Sequence, residues 1–366
     1  MKLMFQQSDL AESVNIVMKA VPSRTTMPIL ECILIDATAS EIRFTANDME
    51  LGIETVVKGS IHEKGKIALD AKIFSDIVRK LPNSIVSIET DERNVAMITC
   101  EKARFDIPGR DAEEFAALPI MEKDEFISIS QFSLKEIIRQ TIFSIAPNEN
   151  NKLMTGELFE IRDNVLKVVS LDGHRIAIRN LELKDGCSDK KVVVPGKTLS
   201  EVSKILSGEM DDEVKIYFSE NYLLFEFDRT IVLSRLIDGE YFRIDQMLST
   251  DYETKVVVNR QSFINSIDRA TLLVRESDKM PVILDIQDDV MDLQINTALG
   301  SMDEETAIEK TGKDIVIGFN PKFLLDALRV IDDEEVSLYF VNAKAPCFIR
   351  DDAGNYIYLI LPVNIR

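Results

Sequence analysis

Two periodicities alternate along the chain. Apolar residues three or four apart mark helices, as at Leu10, Val14 and Val17, and again at Leu134, Ile137, Ile138 and Ile142. Apolar residues two apart mark half-buried strands. They run through CILIDATASEIRFTANDMELGIETVV, SIVSIETDERNVAMITCEKARFDI and EVKIYFSENYLLFEFDRTIVLSRL, each broken by Asp, Asn, Ser or Gly turns. The segments SDLAESVNIVMKAV from Ser8, SLKEIIRQTIFSI from Ser133 and SFINSIDRATLLV from Ser262 predict helices. Each opens on a serine suited to capping a helix N-terminus.

The pattern repeats. IALDAKIFSDIVRKL from Ile67, VVVPGKTLSEVSKIL from Val192 and IGFNPKFLLDALRVI from Ile317 all read strand, tight turn, helix, and their starts lie 125 residues apart. In register, Lys72, Lys197 and Lys322 end the turn. Asp76, Glu201 and Asp326 follow four positions later, and Arg79, Lys204 and Arg329 three after that. A gapless match over three copies predicts three homologous domains: residues 1–122, 123–250 and 251–366. Each holds helix, strands, helix, strands, so each is two similar halves and the fold class is α+β. The boundaries fall in the short polar stretches MEKDEF and LSTDYE, which predicts domains held at fixed angles.

Composition narrows the function. No apolar run approaches the roughly 18 residues of a membrane helix, and MKLMFQQSDLAES lacks the apolar region of a secretion signal. The four cysteines (Cys32, Cys100, Cys187, Cys347) form no CxxC and read as free thiols of a reducing cytoplasm. With 43 Lys and Arg against 63 Asp and Glu, the net charge is −20, which repels nucleic acid unless the positive charge gathers on one face.

Little catalytic chemistry is visible. VVVPGKTLSEV resembles a phosphate-binding loop, with Gly196, Lys197 and Thr198 after a strand. The glycine required five positions earlier is Lys191, however, and the other copies read as plain helix starts. His62 and His174 are far apart, and HExxH, cysteine clusters and Gly-x-Ser-x-Gly are absent. No metal and no cofactor are expected, and these residues alone support no enzyme without excluding one. VVSLDGHRIAI, which holds His174 beside an Asp-Gly turn, reads from its residues alone as a hairpin with His174 and Arg175 packed or hydrogen-bonded at a domain edge.

Several segments together resemble one family. VPSRTTMPIL (Val21 to Leu30), GELFEI with SLDGHRIAI, RLIDGEYF (Arg235 to Phe242) and the terminal YLILPVNIR, in this order and spacing, are similar to the β sliding clamps of bacterial DNA polymerase III. The resemblance implies three tandem clamp domains and a head-to-tail homodimer closed into a ring. Twelve helices spaced about 9 Å apart would place their axes on a circle roughly 35 Å across, leaving a hole of roughly 25 Å. The implied function is a DNA polymerase processivity factor that encircles double-stranded DNA without reading its sequence. It would tether the replicative polymerase, the clamp loader and other proteins through a peptide groove, in the cytoplasm and away from membranes.

The resemblance also implies roles for residues. The DNA-facing cations would be Arg24, Lys72, Arg79, Lys135, Arg139, Lys152, Lys197, Lys204, Arg269, Lys322 and Arg329. The peptide groove would draw on Met154, Leu171, Gly173, His174, Arg175, Ile176, Phe242, Gln246, Met247, Pro346, Leu359, Leu361, Pro362 and Val363. The ring interface would join Leu272 and Leu273 to the region of Arg104 and Phe105 in the partner copy. The chain departs from the family at Leu171, where threonine is usual, at Phe242, where proline is common, and at Gln246, where arginine is common; the tail ends Asn364-Ile365-Arg366. Two other classes fit the composition: an enzyme acting on nucleotides or nucleic acid, and a repeat scaffold that binds only proteins.

Overall fold

The computed structural model describes residues 1–147, 151–184, 186–274 and 280–365, so Arg366 lies outside the described residues. Six α-helices are described: α1 (Gln7–Val17), α2 (Ala71–Lys80), α3 (Gln131–Thr141), α4 (Gly196–Ile205), α5 (Arg260–Thr271) and α6 (Pro321–Val330). In all three copies of the gapless repeat a strand runs almost directly into the second helix. Lys66–Asp70 precedes α2, Lys190–Pro195 precedes α4 and Ile315–Phe319 precedes α6. Asp70 caps α2 by accepting the Ile73 N–H at 2.8 Å, and Asn320 caps α6 by accepting the Lys322 N–H at 3.0 Å.

The opening helices start earlier than their serines predict. Gln6 precedes α1 and caps it with no side-chain bond. Ser130, not Ser133, caps α3 by accepting the Ser133 N–H at 3.0 Å, and Asn259, not Ser262, caps α5 by accepting the Ser262 N–H at 2.9 Å. Ser133 and Ser262 are thus first-turn residues whose backbone is bonded by the true cap. Both true caps end a strand, so strand patterning conceals them.

The chain forms two compact units. The first comprises Met1–Leu134 and Ser200–Leu236, the second Lys135–Leu199 and Ile237–Arg366. Each contains one antiparallel sheet, of 13 strands in the first unit and 12 in the second. In the first unit, Thr230–Arg235 pairs with Leu51–Val57, so strands from the first and second repeats share one sheet. The Thr55 and Thr230 hydroxyls meet across this junction at 2.9 Å. In the second unit, Arg175–Glu182 pairs with Tyr356–Ile360, which joins the second and third repeats in the same way.

Helices cover each sheet with their apolar stripes. In the first unit Leu10, Val14 and Val17 of α1 and Phe74 and Val78 of α2 are buried. Phe44 packs edge-on against Phe5 and Phe74, with ring centroids 6.0 and 6.1 Å apart. In the second unit, Phe263 and Ile267 of α5 and Leu324 and Leu328 of α6 pack with Val256, Leu284, Leu293 and Leu338. Each such side chain contributes roughly 1.5–3 kcal/mol by leaving water. No helix among the described residues is long and apolar enough to cross a membrane.

Candidate functional site

The hairpin of strands Val165–Leu171 and Arg175–Glu182 turns at Asp172, Gly173 and His174. Gly173 has φ +86°, a left-handed backbone that glycine adopts without strain. Asp172 Oδ1 accepts the backbone N–H groups of His174 and Arg175 at 2.9 and 3.1 Å. This carboxylate also takes Arg175 Nε on Oδ2 at 3.0 Å. Arg175 Nη1 donates to Asp326 Oδ2 of α6, and Nη2 donates to the Phe143 carbonyl, both at 2.6 Å. The guanidinium lies 4.5 Å over the Phe323 ring and is only 7% exposed. Arg175 is therefore a buried cation engaged through each of its three side-chain nitrogens.

His174 is exposed and stacks on Phe323, with centroids 6.0 Å apart and planes 23° from parallel. Its imidazole makes no hydrogen bond among the described residues, and among them no three His, Cys, Asp or Glu side chains gather to hold a metal. Among the described residues the ring has no partner with which to relay a proton.

Side chains alternate across a strand. Arg175 points to the helix side of the sheet, and Ile176 points to the opposite side. There Ile176 joins an apolar cluster with Leu158, Val169, Leu171, Tyr241 and Leu359, against which Met154 and Phe242 are partly buried. Ile176 pairs with Leu359 in register, and one residue beyond the strand the Leu361 N–H donates to the His174 carbonyl at 2.9 Å. By the same alternation Leu361 falls on the face of Leu359, and it is 38% exposed. Met247 follows the short turn Ile244–Gln246 that packs on this cluster and is 53% exposed.

The sequence-derived residues thus separate. Met154, Leu171, Ile176, Phe242 and Leu359 form one apolar wall with Leu361 at its rim. Arg175 lies on the other face of the sheet, because strand alternation sends it toward α6. The Val363 N–H donates to the Gly318 carbonyl at 2.9 Å, while Gln246 is exposed and Pro346 and Pro362 are half-buried outside the cluster. A cleft of about 670 Å³ lies in the first unit. Two of its lining cations are held by carboxylates, Arg43 by Glu54 at 2.9 Å and Lys123 by Glu226 at 2.8 Å.

Behind the wall is a residue the sequence reading passed over. Glu157 is fully buried; its Oε2 accepts the Thr141 hydroxyl at 3.1 Å and its Oε1 has no partner among the described residues. Burial pushes this carboxyl well above its usual range, against the opposing Thr141 bond. The Tyr241 phenol is likewise pushed up, by burial first and by the Glu157 carboxyl second. A signal was available: Glu157 shares period-2 register with the buried Phe159 and Ile161.

A raised carboxyl binds its proton more tightly folded than unfolded. Its stabilising effect is complete below the ordinary value of 4.5 and is lost as the pH rises through the folded value. Glu157→Gln is therefore expected to match the wild type near pH 4.5. Above that, its advantage should grow by about 1.4 kcal/mol per pH unit until the folded value is passed. Urea unfolding from pH 4.5 to 8 checks this; a pH-independent difference contradicts it.

The repeated cations carry their own geometry. Lys72, Lys197 and Lys322 are exposed at the second residue of α2, α4 and α6, whose first turns contain no acid. A cation there opposes the helix dipole. Arg79 pairs with Asp76 at 2.6 Å, Lys204 with Glu201 at 2.7 Å and Arg329 with Asp268 at 2.8 Å. Arg139 holds Glu136 and Asp332 at 2.5 and 2.8 Å, and Arg269 holds Glu304. Lys135 is half-buried on α3, Arg24 is exposed after α1 and Lys152 is exposed in the short turn Lys152–Thr155.

The apolar residues near the end of α5 differ from each other. The helix ends at Thr271; Leu272 is its C-cap and is 79% exposed, whereas Leu273 is partly buried against the core of its unit. Arg104 and Phe105 lie in strand Ala103–Arg110, which pairs with Val95–Cys100 through residue 108 and reaches Lys66–Asp70 only at Gly109 and Arg110.

Family models for the DNA polymerase III beta subunit match the chain throughout: the N-terminal domain over residues 1–119, the central domain over 128–242 and the C-terminal domain over 245–364. The chain belongs to the DNA polymerase III beta subunit family. It is 34% identical over 360 residues to the beta sliding clamps of Staphylococcus epidermidis and Staphylococcus aureus, covering 95% of each partner. A crystal structure of a putative DNA polymerase III beta subunit from Eubacterium rectale is 63% identical with a TM-score of 0.98, covering both chains fully. The Bacillus subtilis DNA polymerase sliding clamp is 35% identical with a TM-score of 0.97, again over both full chains. As a beta subunit the chain is a non-catalytic processivity factor with the three-domain clamp fold. The nucleotide-processing alternative falls with that assignment.

Proposed function

We propose that this beta subunit closes as a head-to-tail homodimer around duplex DNA in the cytoplasm and holds its partners by short peptides seated on the apolar wall of Leu171, Ile176, Leu359 and Leu361. The domains of this reading are residues 1–122, 123–250 and 251–366. The observation that carries it is the lysine repeated at the second position of α2, α4 and α6, where it opposes the helix dipole. A cation kept three times at a destabilising place is explained by phosphate contact. Arg79, Lys204, Arg329, Arg139 and Arg269 already hold carboxylates, so each of their phosphate contacts replaces an ion pair and gains little. Loose, sequence-independent contact of this kind suits a ring that slides.

Two features support closure by a second copy. Leu272 is an exposed leucine that another surface would bury with a gain of roughly 1.5–3 kcal/mol. Residues 103–108 of Ala103–Arg110 and residues 300–307 of Gly300–Gly312 each pair on one side among the described residues, leaving backbone edges open to a partner strand.

The deciding experiment loads the protein on primed circular DNA and then linearises it. Sedimentation is expected to give twice 41.4 kDa. Retention on circles should vanish upon linearisation, and Leu272→Asp should shift the protein toward monomer. A stable wild-type monomer, or equal retention on linear DNA, contradicts the reading; no DNA retention with intact peptide binding favours a protein-only scaffold.

A further inference from the structure

The acid repeated on the second helices changes partner in its third copy. Asp76 and Glu201 pair with the cation three residues ahead, at 2.6 and 2.7 Å. Asp326, their counterpart on α6, holds Arg175 at 2.6 Å, and Arg329 turns to Asp268 of α5. The third helix therefore gives up the local pair that its sisters keep and reaches the hairpin edge.

What it reaches is the strand edge from which the wall's rim hangs. Arg175 lies between His174, whose carbonyl accepts the Leu361 N–H at 2.9 Å, and Ile176, which pairs with Leu359 inside the apolar cluster. Its guanidinium is gripped by Asp172 from the hairpin, by the Phe143 carbonyl and by Asp326, and it rests on Phe323. Asp172 belongs to the same turn and moves with it. Asp326 is the carboxylate that anchors the turn to a helix.

We propose that Asp326 is a positioning residue for the partner-peptide wall. Through Arg175 it sets where the His174 carbonyl lies, and so where Leu361 stands relative to Ile176 and Leu359. The proposal rests on the reading of this wall as a peptide site. Asparagine at 326 keeps the shape and an acceptor oxygen but loses the charge that strengthens the bond to the guanidinium. Aspartate's longer homologue keeps the charge.

The test uses the full-length chain with Asp326→Asn, Asp326→Glu and Leu361→Asp as separate variants. The probe is a synthetic peptide ending in adjacent leucine and phenylalanine, followed by calorimetry and amide hydrogen exchange. Asp326→Asn is expected to weaken peptide binding about tenfold and to accelerate exchange of the Leu361 amide selectively over that of Val258 in the sheet. Asp326→Glu should recover most of both. Wild-type affinity with wild-type Leu361 exchange in Asp326→Asn overturns the proposal. So does acceleration that is equal at Leu361 and Val258, which marks a merely stabilising ion pair. If Leu361→Asp binds the peptide like the wild type, the peptide reading itself fails. Selective exchange at Leu361 then still decides whether Asp326 sets the strand edge.

Discussion

Replacing Lys72, Lys197 and Lys322 together by glutamate is expected to weaken DNA association strongly at moderate salt while raising the melting temperature. The two effects have opposite signs because the lysines occupy a position with two consequences. Each is exposed at the second residue of its helix, where the unpaired N–H groups and the dipole favour an anion. Glutamate there adds a few tenths to about 1 kcal/mol per helix. On the DNA side, each lost phosphate contact lowers the slope of log K against log salt by about 0.9, so the slope should fall by up to about 3 for each chain. Filter binding across a salt series and thermal unfolding read the two arms separately. An unchanged slope means that the lysines face away from DNA. A falling melting temperature means that they hold the fold through contacts other than the dipole.

Leu361→Asp is expected to abolish peptide binding and to leave dimerisation and DNA encirclement intact. Leu361 is 38% exposed and its backbone, not its side chain, is tied to His174, so a carboxylate can be tolerated there without unfolding the strand edge. A peptide ending in adjacent leucine and phenylalanine that buries two or three large side chains on this wall gains roughly 4–8 kcal/mol. Ordering the peptide offsets part of that, which places the affinity at about micromolar. An aspartate at the rim adds an unpaired charge in the contact and removes the leucine's apolar area, enough to cancel most of the gain. His174→Gln should weaken binding only modestly, since the imidazole shapes the surface by stacking on Phe323. Calorimetry showing wild-type affinity in Leu361→Asp would put the partner site elsewhere.

The helices were legible because three copies of one pattern reinforce each other. Ile67, Val192 and Ile317 start the same motif without a gap, and α2, α4 and α6 stand at the places it predicts. The caps were less legible. Ser130 and Asn259 end strands and begin helices at once, so strand periodicity hides them, and Ser133 and Ser262 look better placed than they are. At the site, the resemblance brought Arg175 together with Ile176, and alternation along a strand sends their side chains to opposite faces. Asp326 was visible as a repeated acid. That it abandons Arg329 for Arg175 depends on a contact 151 residues away, which no local pattern contains. Glu157 could have been found from its register with Phe159 and Ile161, but a carboxylate at the mouth of a strand ordinarily reads as solvated.

The pairing of Thr230–Arg235 with Leu51–Val57 also has a consequence for how the chain is made. The partners Thr55 and Thr230 are separated by 175 residues. At a synthesis rate of about 5–20 residues per second, the first strand waits roughly 10–35 seconds for its neighbour to leave the ribosome. During that interval the edge of Leu51–Val57 is an unfinished template on which a neighbouring nascent chain could polymerise. Glu54 stands in the middle of that edge, charged and held by Arg43 at 2.9 Å from within its own repeat. It can act as a gatekeeper from the moment the first repeat folds. The repeats are thus units of descent without being self-sufficient products: the first leaves the ribosome with a seam that only the second can close.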